Sequence, residues 1–140
     1  MVDTNVLVGA VMRQGEFARR VIRGCLNGEY KPVIGAALFT EYEDVFSRGE
    51  LWTGALVNHA EREEVLNAFL SVCRWVEVYF AWHPNLPDEG DNHLVELAVS
   101  ANAAAIVTRN VRDLTRGELR FPNISIMTSE ELLEKHPCQH

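Results

Sequence analysis

Asp3, Asp91 and Asp113 stand far apart in the chain, yet each lies where apolar sequence gives way to polar sequence. The chain opens Met1-Val2-Asp3-Thr4-Asn5-Val6-Leu7-Val8. The second acidic station is Pro87-Asp88-Glu89-Gly90-Asp91-Asn92, and the third is Val107-Thr108-Arg109-Asn110-Val111-Arg112-Asp113. An aspartate leaving a buried strand is costly unless something charged or hydrogen-bonding receives it. In an open α/β sheet the carboxyl ends of strands are where ligands and catalytic groups collect. Three such stations point to one acidic pocket in space. Mg²⁺ and Mn²⁺ are hard ions that take a few carboxylates and keep several waters. An ion held there could orient a water nucleophile and stabilise charge on a phosphoryl oxygen. Acidic caps and loops are common, so spacing by itself only suggests this chemistry.

The elements that must position these acids alternate. Residues 6–11 continue the opening apolar run, so a first strand either continues mainly as residues 4–8 or begins upstream of Met1 in the native protein. Apolar positions 17, 18, 21, 22, 25 and 26 predict a helix over residues 16–26, stopped near Asn27-Gly28. Residues 30–35 read as a short strand, which Pro32 assigns to an edge or entry position. A helix follows over 37–46, with Leu38, Phe39, Tyr42, Val45 and Phe46 on one face. Another covers 61–73, and residues 75–80 alternate like a strand. Asp88 reads as the N-cap of a helix running to about Ala101. Short strands are expected at 104–108 and 124–127, and Thr128-Ser129-Glu130-Glu131 is a capping-box pattern for a last helix. Alternation of this kind predicts an α/β fold: a short, mostly parallel sheet flanked by helices.

The 140 residues suit one domain, 1–140, and the 47% hydrophobic and 24% charged content is ordinary for a globular chain. No apolar run reaches membrane-spanning length and no start resembles a signal peptide, so a soluble, cytoplasmic protein is expected. Cys25, Cys73 and Cys138 form no close pair and suit reduced thiols, the first two as small core residues. The net charge of −7 argues against generic nucleic-acid binding. Carboxylates neutralised by a dication would weaken that argument. So would the basic residues themselves, of which 11 in 13 are arginine, the type suited to bidentate phosphate contact.

The opening Val-Asp-Thr-Asn-Val-Leu resembles that of the PIN-domain family. So does Asp91-Asn92-His93-Leu94-Val95-Glu96-Leu97-Ala98, followed by Ala105-Ile106-Val107-Thr108-Arg109-Asn110 and Arg112-Asp113-Leu114. Residues 36–45, around Thr40-Glu41-Tyr42, are similar to the family's second motif, an acid on a helix. The similarity runs to about Leu133 and is nearest to the toxins of bacterial and archaeal toxin–antitoxin pairs, akin to VapC. The resemblance implies a metal-dependent endoribonuclease with three or four acids around Mg²⁺ or Mn²⁺. Asp3 matches the first acid, Glu41 the second, Asp91 the third, and Asp113 the acid after the Thr-Arg-Asn stretch. Asp88 matches an additional acid of this subgroup. Where many relatives carry Asp this chain has Asn110, which removes a possible ligand for a second metal. Water would attack phosphorus in line, leaving 5′-phosphate and 3′-hydroxyl ends. The subgroup also implies a homodimer and an antitoxin partner.

Helical angles put Glu41 and Glu43 at opposite edges of the apolar face, so periodicity does not choose between them, while Asp44 points away. The resemblance selects Glu41. Asp91 is favoured as a ligand, with Asp88 as a cap or supporting residue. Asn5, Thr108 and Asn110 are supports: Asn5 to hold the Asp3 turn, Thr108 to orient a water. His59, His83, His136 and His140 show no ligand spacing, and His93 is expected in solvent. Arg109, Arg112, Arg116 and Arg120 recur at near-helical spacing, usually the mark of a solvated face. Beside an acidic pocket, Arg109 and Arg112 could receive RNA phosphates. A catalytically impaired PIN-like module for RNA or protein interaction is the main rival, supported by Asn110 and the short first strand. A phosphatase would need a nucleophile motif, and a nucleotide-binding module a Gly-rich loop; neither appears.

Overall fold

The computed structural model describes residues 1–12, 15–52, 57–77, 92–109, 111 and 124–137. Six α-helices and short parallel strands make up these residues, an α/β arrangement. The opening segment departs from the strand expected for it. Residues 4–8 do not extend a strand; α1 (Thr4–Val11) begins directly after Asp3. The strand-like part is Met1–Asp3 alone, laid parallel to β3 (Ala105–Val107) through a bridge between Val2 and Val107. Met1 donates its amino group to the Ala105 carbonyl at 3.0 Å and accepts from the Val107 N–H at 2.8 Å. The Asp3 N–H donates to the Val107 carbonyl at 2.9 Å. Valines are middling helix formers, but Val6 and Leu7 are wholly buried, and packing outweighs propensity.

On its other side β3 pairs with β4 (Ser125–Met127), parallel, with Ile106 opposite Ile126. A second parallel pair joins β1 (Val33–Ile34) to β2 (Arg74–Trp75). α2 (Glu16–Leu26) precedes β1, and α3 (Ala36–Ser47) and α4 (His59–Val72) connect β1 to β2. The chain closes with α5 (Asn92–Ala101) before β3 and α6 (Ser129–Lys135) after β4. The stop expected for α2 is present: Gly28 takes φ +83°, a conformation that L side chains rarely adopt. The capping box expected at Thr128 also forms, with the Thr128 hydroxyl and the Glu131 side chain each serving the other's backbone. The strand expected over 75–80 is found as Arg74–Trp75, and residues from 78 lie outside those described.

α3 carries Glu41, and Gly35 sets where it starts. A Cβ at Gly35 would stand 3.1 Å from Leu97 Cδ1 and 3.2 Å from the Val76 carbonyl, tighter than most real contacts. The close approach lets α3 leave β1 against both α5 and the end of β2. Along α3, Leu38, Tyr42 and Phe46 are buried at four-residue spacing, so one stripe faces the core. Tyr42 meets Phe69 of α4 edge-on, and Phe46 meets Trp52. Cys25 is buried as expected, whereas Cys73 is only half-buried at the end of α4.

Candidate active site

Asp3 is where the strand-like segment becomes a helix. Its backbone is extended, at φ −67° and ψ 150°, so it serves as the N-cap of α1. Its Oδ1 accepts the Thr4 N–H at 2.8 Å, and its carbonyl accepts from Val6 and Leu7. The positive end of the α1 dipole therefore lies against the carboxylate. Oδ2 accepts the Thr108 hydroxyl at 2.7 Å. Asp3 is 5% exposed and Thr108 is fully buried. Thr108 comes directly after β3, and its N–H donates to the Met127 carbonyl at 2.9 Å. The acid and its hydroxyl partner thus occupy the carboxyl ends of adjacent parallel strands, where α/β sheets place their ligands.

Glu41 reaches this region through its neighbour. The Tyr42 hydroxyl donates to the Val2 carbonyl, joining α3 to the residue before Asp3. Burial pushes the Tyr42 phenol well above its ordinary range, and Cys73, Asp3, Cys25 and Glu41 push it further. The Tyr42 hydroxyl thus lies within electrostatic reach of Asp3 and of Glu41, its neighbour in the chain. Glu41 is half-buried, while Glu43 is exposed and Asp44, also exposed, is paired with Arg48.

Asn5 and Thr108 make bonds other than those expected of them. Asn5 Oδ1 accepts the Arg109 N–H at 3.4 Å, so it ties α1 to the residue after Thr108, while Asp3 holds its own turn. Thr108 gives its hydroxyl directly to Asp3. The Arg109 side chain is exposed and lies over α1, with Nη1 3.6 Å from where a Cβ on Gly9 would stand. Asp88, Asp91, Asn110, Arg112 and Asp113 fall outside the described residues, as do His83, Arg116, Arg120, Cys138 and His140. The side chain of His93 does too. His59 and His136 are exposed, and no group of three or more His, Cys, Asp or Glu among the described residues is arranged to hold a metal ion.

Two further residues beside Asp3 were passed over by sequence reasoning. Tyr42 was read as one apolar position among five, although a buried tyrosine hydroxyl needs a partner. Thr4 is 5% exposed, and its Oγ1 has no hydrogen-bond partner among the described residues. An oxygen in want of a partner, one residue from a buried carboxylate, fits a site meant for a hydrated hard cation. The donor chemistry agrees, since Asp3, Glu41 and Thr4 offer oxygen throughout.

One family model matches the chain, that of the PIN domain, over residues 1–112. The match includes Asp3, Glu41 and Asp91 and ends one residue before Asp113. No curated protein and no solved structure matches.

Proposed function

This chain belongs to the PIN-domain family, and on that premise we propose that it is a metal-dependent endoribonuclease, the toxin of a toxin–antitoxin pair. PIN domains are generally nucleases. The observation that carries the reading to this chain is Asp3: a buried carboxylate, oriented by Thr4 and Thr108, at the carboxyl ends of parallel strands. A second acid, Glu41, stands half-buried on α3 next to Tyr42, whose hydroxyl is bound to the residue before Asp3, which supports the same reading.

In this reading Asp3, Glu41, Asp91 and Asp113 would hold Mg²⁺ or Mn²⁺. When bound, such an ion supplies Lewis acidity, making water more acidic and offsetting charge on phosphoryl oxygens. The chain's own groups orient and exclude. Thr108 fixes the rotation of the Asp3 carboxylate through Oδ2, and the α1 N-terminus favours its ionised form. Tyr42 holds α3, and with it Glu41, against the opening segment. Asn5 holds the backbone of Arg109, which with Arg112 would receive substrate phosphates. Asp88 and Asn110 complete the supporting set. An antitoxin and a second copy of the chain are the expected protein partners, in the cytoplasm.

The deciding experiment incubates the purified chain with defined RNA, with and without Mn²⁺, beside Asp3→Asn. The parent should cleave only with the metal, and Asp3→Asn should not cleave while keeping its fold. Mn²⁺ should also stabilise the parent by mass action, by about 2.7 kcal/mol at a hundredfold excess over Kd, and so raise its thermal midpoint. An Asp3→Asn protein that cut RNA at the parental rate would refute the site. A short neighbouring reading frame encoding a DNA-binding-like protein would support the toxin assignment.

A further inference from the structure

α2 carries a charged stripe that the functional reading leaves unused. Its buried residues, Val21, Ile22, Gly24 and Cys25, face the core, and the helix packs against α1, α4 and α6. On the opposite side Glu16, Arg19, Arg20 and Arg23 fall at i, i+3, i+4 and i+7 and enclose a shallow surface hollow. Three guanidinium groups thus share one exposed face of a chain whose net charge is −7. Phe17, 41% exposed, flanks the stripe with an open aromatic face.

The position of the stripe relative to Asp3 follows from the packing of α1 on α2. Ala18 lies 4.0 Å from where a Cβ on Gly9 would stand, and Arg109 Nη1 is 3.6 Å from the same point. Arg109 follows Thr108, at the carboxyl end of β3. Further along α2, Cys25 borders the same cavity as Met1, Val2, Ala105 and Val107. The first turn of α2 therefore lies beside the Arg109 side chain, and Arg19 and Arg20 follow Ala18 directly on the exposed face.

We propose that Arg19, Arg20 and Arg23 form a phosphate-contacting rail that leads single-stranded RNA along α2 to Arg109 and the Asp3 end. This rests on the endoribonuclease reading. A site built from carboxylates repels a polyanion, so a local cationic surface is what draws the substrate in. Guanidinium forks match phosphate oxygens in a bidentate manner, and Phe17 offers a base a stacking face without reading its identity. The expected contact is sequence-tolerant and strongly dependent on salt.

The test replaces Arg19, Arg20 and Arg23 together with Gln, which keeps helix propensity and removes charge. A companion variant carries Lys at all three positions. Affinity for a defined single-stranded RNA is measured on the full chain across a salt series. Three lost contacts should flatten the log–log slope by about 2, at about 0.7 per contact. Between about 50 and 200 mM salt the parent should then lose roughly 20-fold more affinity than the Gln variant. The Lys variant should keep the parental slope, which separates charge loss from any disturbance of the helix. Parallel salt lines for parent and Gln variant overturn the rail. So does poly-glutamate binding that the Gln variant abolishes while RNA affinity is unchanged, because the stripe would then be a protein-docking face. RNA cleavage with Mn²⁺ is scored separately. A parent that binds RNA through these arginines but never cleaves it keeps the rail and removes the nuclease reading.

Discussion

Thr108→Val deletes one hydroxyl from a fully buried position and leaves the shape of the side chain almost unchanged. That hydroxyl donates to Asp3 Oδ2 at 2.7 Å, and Asp3 itself is 5% exposed. Hydrogen bonds to charged groups contribute about 1.5–3 kcal/mol, and a buried carboxylate that loses a donor carries its desolvation cost uncompensated. The single variant should therefore lose about 2 kcal/mol. Asp3→Ala leaves the Thr108 hydroxyl short of an acceptor and also removes the N-cap of α1, a loss of about 1 kcal/mol by itself. In the double variant neither group is stranded by the other. The two losses should overlap by about 2 kcal/mol, well beyond the roughly 0.3–0.5 kcal/mol scatter of independent sites. Urea denaturation of the four proteins, without divalent metal and at one neutral pH, measures the cycle. Additive losses would mean that Thr108 does not orient Asp3, and the physical basis offered for the site would fail with it.

Other expectations follow from the same geometry. Tyr42→Phe withdraws the donor to the buried Val2 carbonyl and should cost about 1–3 kcal/mol in chemical denaturation; RNA cleavage should fall further than stability, because Glu41 loses its anchor. Gly9→Ala should raise stability by roughly 0.5–1 kcal/mol, since its new Cβ meets Arg109 Nη1 at 3.6 Å and Ala18 at 4.0 Å, both ordinary contacts, and α1 gains a better helix former; a lower thermal midpoint would show that Arg109 is pinned there more tightly. Burial, then Cys25, pushes the Cys73 thiol up to about 12 from an ordinary 9.0. A thiol kept protonated by folding contributes stability below 9.0 that is lost as pH rises towards 12, so the parent should weaken over that window more than Cys73→Ala does, read by thermal melts.

How much of this was legible in the sequence differs between α2 and α1. The extent of α2 was plain, because apolar residues on one face, charged residues on the other and Gly28 at the end all agree. The start of α6 was equally plain, because a capping box is a local signal and needs nothing from the rest of the fold. Residues 4–8 misled, and the reason is physical. A short run apolar on every side has no polar face to reveal its period, so strand and buried helix look alike. Asp3 was recognised as an acid at a strand end, yet it is also a helix cap, and the cap is what turns the chain away from the sheet.

The candidate site divides along the same line. That acids stand at the ends of elements can be read from the chain, because apolar runs stop visibly and carboxylates cannot continue them. Which acid on α3 turns inward cannot. Glu41 and Glu43 are equivalent by helical angle, and only the folded chain separates them: Glu41 is half-buried next to the Tyr42–Val2 bond, a contact 40 residues apart in sequence, while Glu43 is exposed. The Thr108–Asp3 bond spans 105 residues, and nothing local to either position announces it. Sequence therefore names the groups able to do chemistry, while the bonds that orient them arise only once the opening segment docks beside β3. With that segment in place, an acid, its hydroxyl partner and a helix N-terminus meet at the carboxyl ends of two adjacent strands.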